Sequence, residues 1–345
     1  MKKLSKKKLL IFAALSLALL ITAVWAGVYL GVTVKGARSS DIWGASDAFD
    51  PDDFASFEKA DGENFKILQL TDIQLSGFES EVKACFALIT RLIKDTEPDL
   101  LVLTGDSVAL RNNHKKGARL TGFLDGFGIP YAITMGNHDG EGHYDIEKMA
   151  ELYASGEYSL FRKGPGNIQG VGNYGVNITS GGEIVYSLFF LDSNRYRKYD
   201  GKRGYDYIYS NQADYYEWYI NGVNSFTEKS VKNMLFYHIP VPEIDGIRAE
   251  IKEKYPAAVE KFAFREDPCP PKENSGFFDR VTELGAATHM FFGHDHVNLL
   301  SYEYRGVRFV YGLKTGPCSY YDKDRQGGTL ITLRDNLEVT VDFMY

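Results

Sequence analysis

Two histidines flank an aspartate in the segment FFGHDHVN, where His294 and His296 directly follow a run of apolar and aromatic residues. Polar residues of similar types follow four other apolar runs: Asp72, Asp106, Asn137 with His138, and His238. Each run has the length and composition of a buried strand, so these side chains are predicted to lie at strand ends. Because the carboxyl ends of strands in open α/β sheets meet at a crevice, we expect the side chains to converge there.

The side chains supply carboxylate, amide and imidazole groups without thiolate, which is the ligand set of divalent cations such as Mn, Fe or Zn. Two such cations that share one carboxylate form a two-metal site of the kind that hydrolyses phosphate esters. Asp106 is predicted to be that shared carboxylate. A single Asp or Asn in such a position is more often a helix cap. Capping does not account for four of the seven histidines falling in these positions, so we interpret the set as a metal centre.

The elements that must position this set alternate along the chain. Strands are predicted over 65–71, 99–105, 130–136, 183–193, 231–240 and 287–296. Helices are predicted over 80–95, near 117–126 and over 211–223. Strands that alternate with helices favour an α/β fold with a mainly parallel central sheet. The second half of the chain, which ends in short strands and turns, can supply another sheet packed against the first.

The polar segments also form an ordered set of motifs: TDIQ at 71–74, GD at 105–106, GNHD at 136–139, YHIP around His238, and GHDH at 293–296. This set resembles that of the calcineurin-like metallophosphoesterases from residue 65 to about residue 320. Within that superfamily the sequence is most similar to the short, single-domain branch related to purple acid phosphatases. The resemblance implies an α/β fold, a four-layer sandwich of two mixed β-sheets flanked by helices.

The resemblance also implies a role for each motif residue. One divalent ion would be held by Asp72, Gln74, Asp106 and His296. The other would be held by Asp106, Asn137, His238 and His294. A hydroxide bridging the two ions would attack phosphorus, while His138 donates a proton to the leaving group and Asp139 orients the His138 ring.

Two positions depart from the family pattern. Gln74 stands where the first motif usually has a histidine, and an amide oxygen is a weaker ligand than imidazole. We therefore expect lower occupancy or a harder metal at that site. Ala109 stands where true purple acid phosphatases have a tyrosine ligand, so no purple colour is expected.

The predicted function is metal-dependent hydrolysis of a phosphorylated small molecule or other phosphoester, with phosphate monoesters favoured. The motifs do not separate this activity from that of a phosphodiesterase acting on nucleotides or lipid head groups. A different class, a degenerate binding protein at the cell surface, is suggested by Gln74.

The N-terminal residues predict a membrane anchor. Five lysines precede residues 9–34, which carry no charge and are long enough to cross a bilayer as a helix. The lysines should remain in the cytoplasm, which places the rest of the chain outside. We interpret 1–35 as an anchor, 36–63 as a stalk, and 64–345 as the catalytic domain of a single-pass protein of the cell membrane. The alternative is a cleaved signal peptide and a secreted domain.

The net charge of the chain bears on its possible binding partners. Residues 1–35 contain six lysines and no acidic residue, so the net charge of −7 for the chain becomes −13 for the remainder. Such acidity argues against binding to a nucleic acid duplex.

Cys269 and Cys318 lie in loop-like segments and could form a disulfide outside the cell, whereas Cys85 is predicted to be a core residue.

Residues 196–219 are rich in tyrosine and contain several basic residues. One interpretation is a rim that recognises the leaving group of a substrate through stacking. The favoured interpretation is an amphipathic loop and helix whose aromatic residues pack on the core.

Overall fold

The computed structural model describes residues 42–75, 78–256 and 263–345. The apolar segment predicted to span a membrane, residues 9–34, lies outside these ranges. Among the described residues, no helix combines the length and the apolar character that a membrane crossing requires.

The strands of the described residues are β1 (Ala55–Glu58), β2 (Phe65–Leu70), β3 (Leu100–Thr104), β4 (Tyr131–Thr134), β5 (Tyr174–Ser180), β6 (Glu183–Phe190), β7 (Tyr196–Tyr199), β8 (Lys202–Tyr205), β9 (Lys232–Phe236), β10 (Ala287–Phe292), β11 (Leu300–Tyr304), β12 (Val307–Tyr311), β13 (Gly328–Leu333) and β14 (Val339–Met344). The helices are α1 (Glu79–Thr96), α2 (Asn113–Asp125), α3 (Ile146–Ala154), α4 (Ser210–Ser225), α5 (Glu243–Lys254) and α6 (Phe277–Leu284).

Two large sheets form the centre of the molecule. One has the strand order β14-β13-β2-β3-β4, in which β2, β3 and β4 are parallel and β13 and β14 are antiparallel. The other has the order β1-β5-β6-β9-β10-β12-β11 and is also mixed, because β5 with β6 and β11 with β12 are antiparallel pairs. Strands β7 and β8 form a separate hairpin.

The alternation of side chains along β6 shows how the layers stack. Leu188 and Phe190 belong to the core between the two sheets, whereas Phe189 and Leu191 belong to the core beneath α4, α5 and α6. Successive strand residues face opposite sides, so this sheet is buried on both faces. Helix α1 covers the outer face of the other sheet, against β2 and β13. The predicted four-layer α/β sandwich of two mixed sheets is confirmed.

The amphipathic pattern of α1 explains that packing. Val82, Cys85, Ile89 and Leu92 are buried along one face of the helix, at the spacing of three and four residues that a helical stripe requires. Cys85 is therefore a core residue, as predicted. Cys269 and Cys318 are free thiols, so the disulfide considered from the sequence is absent from the structure.

The stalk prediction was wrong over residues 42–63. Strand β1 pairs in parallel with β5 at the edge of the seven-stranded sheet, and Phe57 is buried there. Upstream, Trp43 and Phe49 pack against the Trp218 ring of α4. A few well-spaced aromatic side chains anchor this segment although its overall composition is polar. The structured domain therefore includes residues from 42 onward, whereas 36–41 lie outside the described residues.

His289 offers a test of the core that is independent of the site. It lies in β10 with only 8% of its surface exposed, and burial lowers its pKa to about 4. The unfolded chain binds this proton at an ordinary pKa of about 6.5, so stability should fall as pH drops from about 6.5 to about 4. We expect His289→Phe to remove roughly 2–3 kcal/mol of that loss.

Urea unfolding at several pH values measures the slope of the free energy of unfolding against pH. The same substitution at the exposed His143 controls for the replacement of a histidine by phenylalanine outside the core. Equal slopes for wild type and His289→Phe would show that this histidine is not buried in its neutral form.

Candidate metal centre

Five loops at the carboxyl ends of strands meet at one buried site. Its side chains follow β2, β3, β4, β9 and β10: Asp72, Asp106, Asn137, His238, and His294 with His296. Each of these residues is at most 7% exposed. The two sheets contribute together, because β2, β3 and β4 belong to one sheet and β9 and β10 to the other. The convergence predicted from the strand ends is present.

Distances within the cluster are short. His238 Nε2 lies 3.4 Å from Asp106 Oδ2, and His296 Nε2 lies 3.4 Å from Asp72 Oδ1. The rings of His238 and His294 are 5.2 Å apart between centroids. One ligand atom each from Asp72, Asp106 and His238 lie within 4.8 Å of one another, a spacing at which a single cation can be held.

The backbone at this site is held in an uncommon conformation. Asp72, Gln74, Asp106 and His294 have φ angles of 51°, 43°, 48° and 79°, in the left-handed region that side chains disfavour. Hydrogen bonds from Asp72 N to Gly105 O and from Gln74 N to Asp106 O join the first two loops. Such strain typically persists where the surrounding structure fixes it for a function.

Unpaired polar atoms show that the cluster fits a cation. Among the described residues, four of the predicted ligand atoms are buried without a hydrogen-bond partner: Asp72 Oδ1, Asn137 Oδ1, His238 Nε2 and His294 Nε2. Buried polar groups without partners are costly and therefore rare. Each of these atoms is of a type that can ligate a divalent ion. An ion held by Asn137, His238 and His294 would satisfy three of them, and Asp72 Oδ1 faces His296 Nε2 at 3.4 Å.

Neighbouring carbonyl groups orient two of the imidazole rings. His238 Nδ1 donates to Thr104 O at 2.8 Å, and His296 Nδ1 donates to Tyr320 O at 3.0 Å. A carbonyl oxygen can only accept, so Nδ1 carries the proton and Nε2 of the neutral ring is left with its lone pair. This arrangement is common for metal-binding histidines.

The electrostatics of the cluster also favour a cation. Burial opposes ionisation of Asp72, but His296, His238 and Lys314 outweigh it and hold the Asp72 pKa well below its usual range. Burial alone would lower the pKa of His238, yet the Asp106 carboxylate raises it to about 10, so a cation that binds Nε2 displaces the proton held there. Two ionised carboxylates thus share one buried space. Cations are strongly favoured in such an environment.

Gln74 does not behave like the other predicted ligands. Its Oε1 accepts a hydrogen bond from Lys314 Nζ at 3.1 Å, and its Nε2 donates to Asp106 Oδ2 at 3.2 Å. Both ends of the amide are therefore paired. The residue lies in the centre as predicted, but its amide oxygen faces the Lys314 ammonium.

His138 lies beside the cluster with one third of its side chain exposed. Its Nε2 is 3.9 Å from Asp106 Oδ2, and its backbone N–H donates to Asp106 Oδ1 at 2.8 Å. Burial alone would lower the pKa of His138, but Asp106 and Glu141 outweigh it and raise that pKa. An accessible imidazole with a raised pKa at the edge of the centre can act as a general acid.

The predicted contact between Asp139 and the His138 ring is wrong. Asp139 is fully buried and accepts hydrogen bonds from Gly136 N, Val108 N and Tyr153 OH. It therefore stabilises the loop that carries Asn137 and His138. Glu141 makes the contact that was expected of Asp139, since its Oε2 lies 2.5 Å from His138 Nδ1.

The β7–β8 hairpin borders the cluster on one side. Tyr196 OH accepts from Asn137 Nδ2 at 2.8 Å, and the Tyr205 ring contacts the edge of His294 with 4.4 Å between centroids. Arg203 donates to Glu141 at 3.2 Å. Tyr216 and Tyr219 of α4 are core residues, as the favoured interpretation predicts. The hairpin tyrosines lie at the centre instead, and recognition of a leaving group by them stays a prediction.

Sequence reasoning missed Glu141 and Lys314 as parts of the site, whereas Tyr196 and Tyr205 belong to the segment considered as a possible rim. Glu141 follows His138 by three residues, a spacing that could have suggested the contact. Lys314 lies 240 residues from Gln74, and no local signal connects the two.

Gly105 lies where its loop approaches the His238 ring closely. Its φ is 84°, and an added Cβ would lie 2.5 Å from the His238 ring. We expect Gly105→Ala to destabilise the fold by about 2–4 kcal/mol and to displace His238, because backbone strain and overpacking add. Thermal unfolding measures the first effect and Mn²⁺ titration the second.

Gly122 provides the control for that substitution. It lies exposed in α2, where an added Cβ meets nothing within 4 Å. Gly122→Ala should stabilise the protein by about 0.5–1 kcal/mol and leave Mn²⁺ binding unchanged. An unaffected Gly105→Ala variant would contradict the close approach of the GD loop to His238.

Comparison with known proteins gives a consistent assignment. The family model described as calcineurin-like phosphoesterase matches residues 65–298. Phosphatase DCR2 of Saccharomyces cerevisiae is 31% identical over 269 residues, which is 70% of this chain and 45% of the yeast protein. Probable inactive purple acid phosphatase 14 of Arabidopsis thaliana is 30% identical over 295 residues, 74% of this chain and 71% of that protein.

A crystal structure of a dimetal phosphatase from Danio rerio is 11% identical, with a TM-score of 0.49 over 81% of this chain and 99% of that one. That similarity is too distant to bear on the activity. The family model covers well over half of the chain, and the Arabidopsis protein is matched over more than two thirds of its length. The predicted family, its similarity to purple acid phosphatases and its enzyme class, hydrolysis of phosphate esters, are confirmed. The chain belongs to the calcineurin-like phosphoesterase family.

Proposed function

We propose that this protein is a metal-dependent hydrolase of phosphate monoesters. The observation that carries the proposal is the group of four buried ligand atoms without hydrogen-bond partners, on Asp72, Asn137, His238 and His294. They come from loops distant in sequence. Ligand atoms of Asp72 and His238 lie within 4.8 Å of the Asp106 carboxylate, and the His294 ring lies 5.2 Å from the His238 ring. A purely structural arrangement would be expected to pair these atoms.

Asp106, Asn137, His238 and His294 would hold a divalent ion, with Mn, Fe and Zn as the candidates for this ligand set. Such an ion lowers the pKa of a coordinated water and neutralises charge on the phosphoryl oxygens. His138 donates a proton from Nε2 to the oxygen of the departing alcohol, and Glu141 holds the opposite ring nitrogen. The Asp106 carboxylate fixes the His138 backbone, which keeps the acid in place relative to the ligands.

The hairpin supports a preference for monoesters. Tyr196 and Tyr205 lie directly against Asn137 and His294, so this side of the centre offers little room for a second ester arm. Arg203, exposed beside Glu141, adds positive charge that suits a dianionic phosphate group. The yeast relative is also named a phosphatase.

Hydrolysis of two chromogenic substrates tests the preference. The full-length chain, supplied with Mn, Fe or Zn, is assayed with p-nitrophenyl phosphate and with bis(p-nitrophenyl) phosphate. We expect the monoester to have the higher kcat/KM. A higher value for the diester would instead identify a phosphodiesterase of the kind that acts on nucleotides or lipid head groups.

A binding protein without catalytic activity is the second candidate. It is favoured by the paired state of the Gln74 amide, and the Arabidopsis relative is named probable inactive. In that case the chain would bind inorganic phosphate but would turn over neither substrate with any of the three metals.

We further propose that the catalytic domain lies outside the cell membrane, with residues 9–34 as its anchor. The lysines before this segment support this orientation. Added protease should digest the domain in intact spheroplasts. Digestion only after lysis would contradict the orientation, and release of a soluble domain into the medium would favour a cleaved signal.

A further inference from the structure

Lys314 contacts the side of the candidate centre that contains Asp72 and Gln74. Lys314 is 2% exposed, and its Nζ donates to the backbone oxygen of Asp72 at 2.7 Å and to Gln74 Oε1 at 3.1 Å. The ammonium thus lies beside the loop that was expected to hold the first ion. None of the described ligands on the Asn137 and His294 side has a hydrogen bond to a lysine.

The position of Lys314 is fixed by its backbone. Lys314 forms bridges with Thr71 on one side and Gln326 on the other. Hydrogen bonds from Thr315 N to Thr71 O and from Gly327 N to Lys314 O hold it in place. A Cβ at Gly316 would lie 1.9 Å from Ile73 O, so the segment that carries Lys314 packs tightly against the Asp72 loop. The ammonium is therefore a constant feature of the site.

The orientation of Gln74 follows from its neighbours. Lys314 can only donate, which requires the amide oxygen to face it. The amide nitrogen then faces Asp106 Oδ2, which can only accept. If the Gln74 oxygen turned toward an ion, the buried Lys314 ammonium would lose this hydrogen-bond acceptor. The ammonium would also lie near a second positive charge, that of the ion. Both changes oppose binding of an ion at this side.

We propose that Lys314 and Gln74 replace the first metal ion of the centre. The protein would therefore bind one divalent ion tightly, at Asp106, Asn137, His238 and His294. The ammonium of Lys314 supplies part of the positive charge that a second ion would have brought to the Asp72 carboxylate. This inference rests on the proposed function, because it concerns the same centre.

Mn²⁺ titration of the metal-free, full-length protein tests the inference without an activity assay. Calorimetry should give one tightly bound ion per chain and a second that binds at least tenfold more weakly. Electron paramagnetic resonance at saturation of the tight site should show an isolated ion and no exchange-coupled pair.

Substitution at Lys314 should restore the second site. Lys314→Met keeps the unbranched shape of the side chain, one atom shorter, but removes its charge and frees the Gln74 oxygen, so affinity for the second ion should rise at least tenfold. The double variant Gln74→His/Lys314→Met should bind two ions tightly. The control is Lys59→Met, since Lys59 is equally buried but paired with Asp335, and it should leave both affinities unchanged.

The outcomes separate the two proposals. Two ions of equal affinity in the wild type, together with hydrolysis, would overturn the inference and leave the proposed function intact. A protein that binds no Mn²⁺ at all would overturn both. If a folded Lys314→Met variant bound the second ion no more tightly than the wild type, the inference would also be overturned. If that variant does not fold, the number of Mn²⁺ ions bound tightly by the wild type decides whether the inference holds.

Discussion

Asp106→Asn is expected to abolish tight metal binding and to lower kcat/KM for phosphate monoesters by roughly three powers of ten or more. The reason is that Asp106 Oδ2 lies 3.4 Å from His238 Nε2 and brings negative charge to the group of ligand atoms it forms with Asp72 and His238. The amide would present a donor group toward Gln74 or His238 and would remove that charge. The loss corresponds to several kcal/mol of transition-state stabilisation.

Metal analysis after dialysis and steady-state kinetics measure both effects. Asp125→Asn is a matched control, because Asp125 uses Oδ1 to accept from Tyr131 OH and Tyr158 N, which an amide oxygen also does. Circular dichroism should show that both variants fold. A variant at position 106 with full metal content and normal turnover would remove Asp106 from the centre.

His138→Ala is expected to retain metal but to lose rate. The backbone N–H that binds Asp106 remains in the variant, so the ligands keep their positions. Turnover of an alkyl phosphate should fall by about 10²–10⁴, since its alkoxide leaves only with a proton. The rate with p-nitrophenyl phosphate should fall much less, because nitrophenolate leaves without one.

Glu141→Gln separates positioning from proton donation. Glu141 holds His138 Nδ1, and the amide retains a hydrogen-bonding group of the same length. We expect a loss of about tenfold for the alkyl phosphate, well short of the effect of His138→Ala. If His138→Ala hydrolysed the alkyl phosphate at the wild-type rate, another group would have to be the acid.

The position of the centre was predictable from sequence because each candidate ligand follows a strongly apolar strand. Such strands are buried in the sheet interior, and their ends are fixed to within a residue or two by the change to polar residues. For this reason Asp72, Asp106, Asn137, His238 and His294 were placed correctly in the fold although they are far apart along the chain.

The direction in which each side chain points was less predictable. Asp139 turns inward because Gly136 N and Val108 N need an acceptor, and that need is visible only once the loop is folded. The contact between Lys314 and Gln74 joins distant parts of the chain. The segment around Phe57 was taken for a stalk because pairing of its strand with β5 depends on an edge that only the complete sheet presents.

Diffraction from crystals grown with Mn²⁺, with data collected at the manganese absorption edge, tests the metal centre most directly. The account predicts an anomalous peak within about 2.0–2.3 Å of His238 Nε2 and His294 Nε2, and within reach of Asp106 and Asn137. A crystal saturated with Mn²⁺ that shows no peak there, or shows these residues bound to other protein groups, would contradict it.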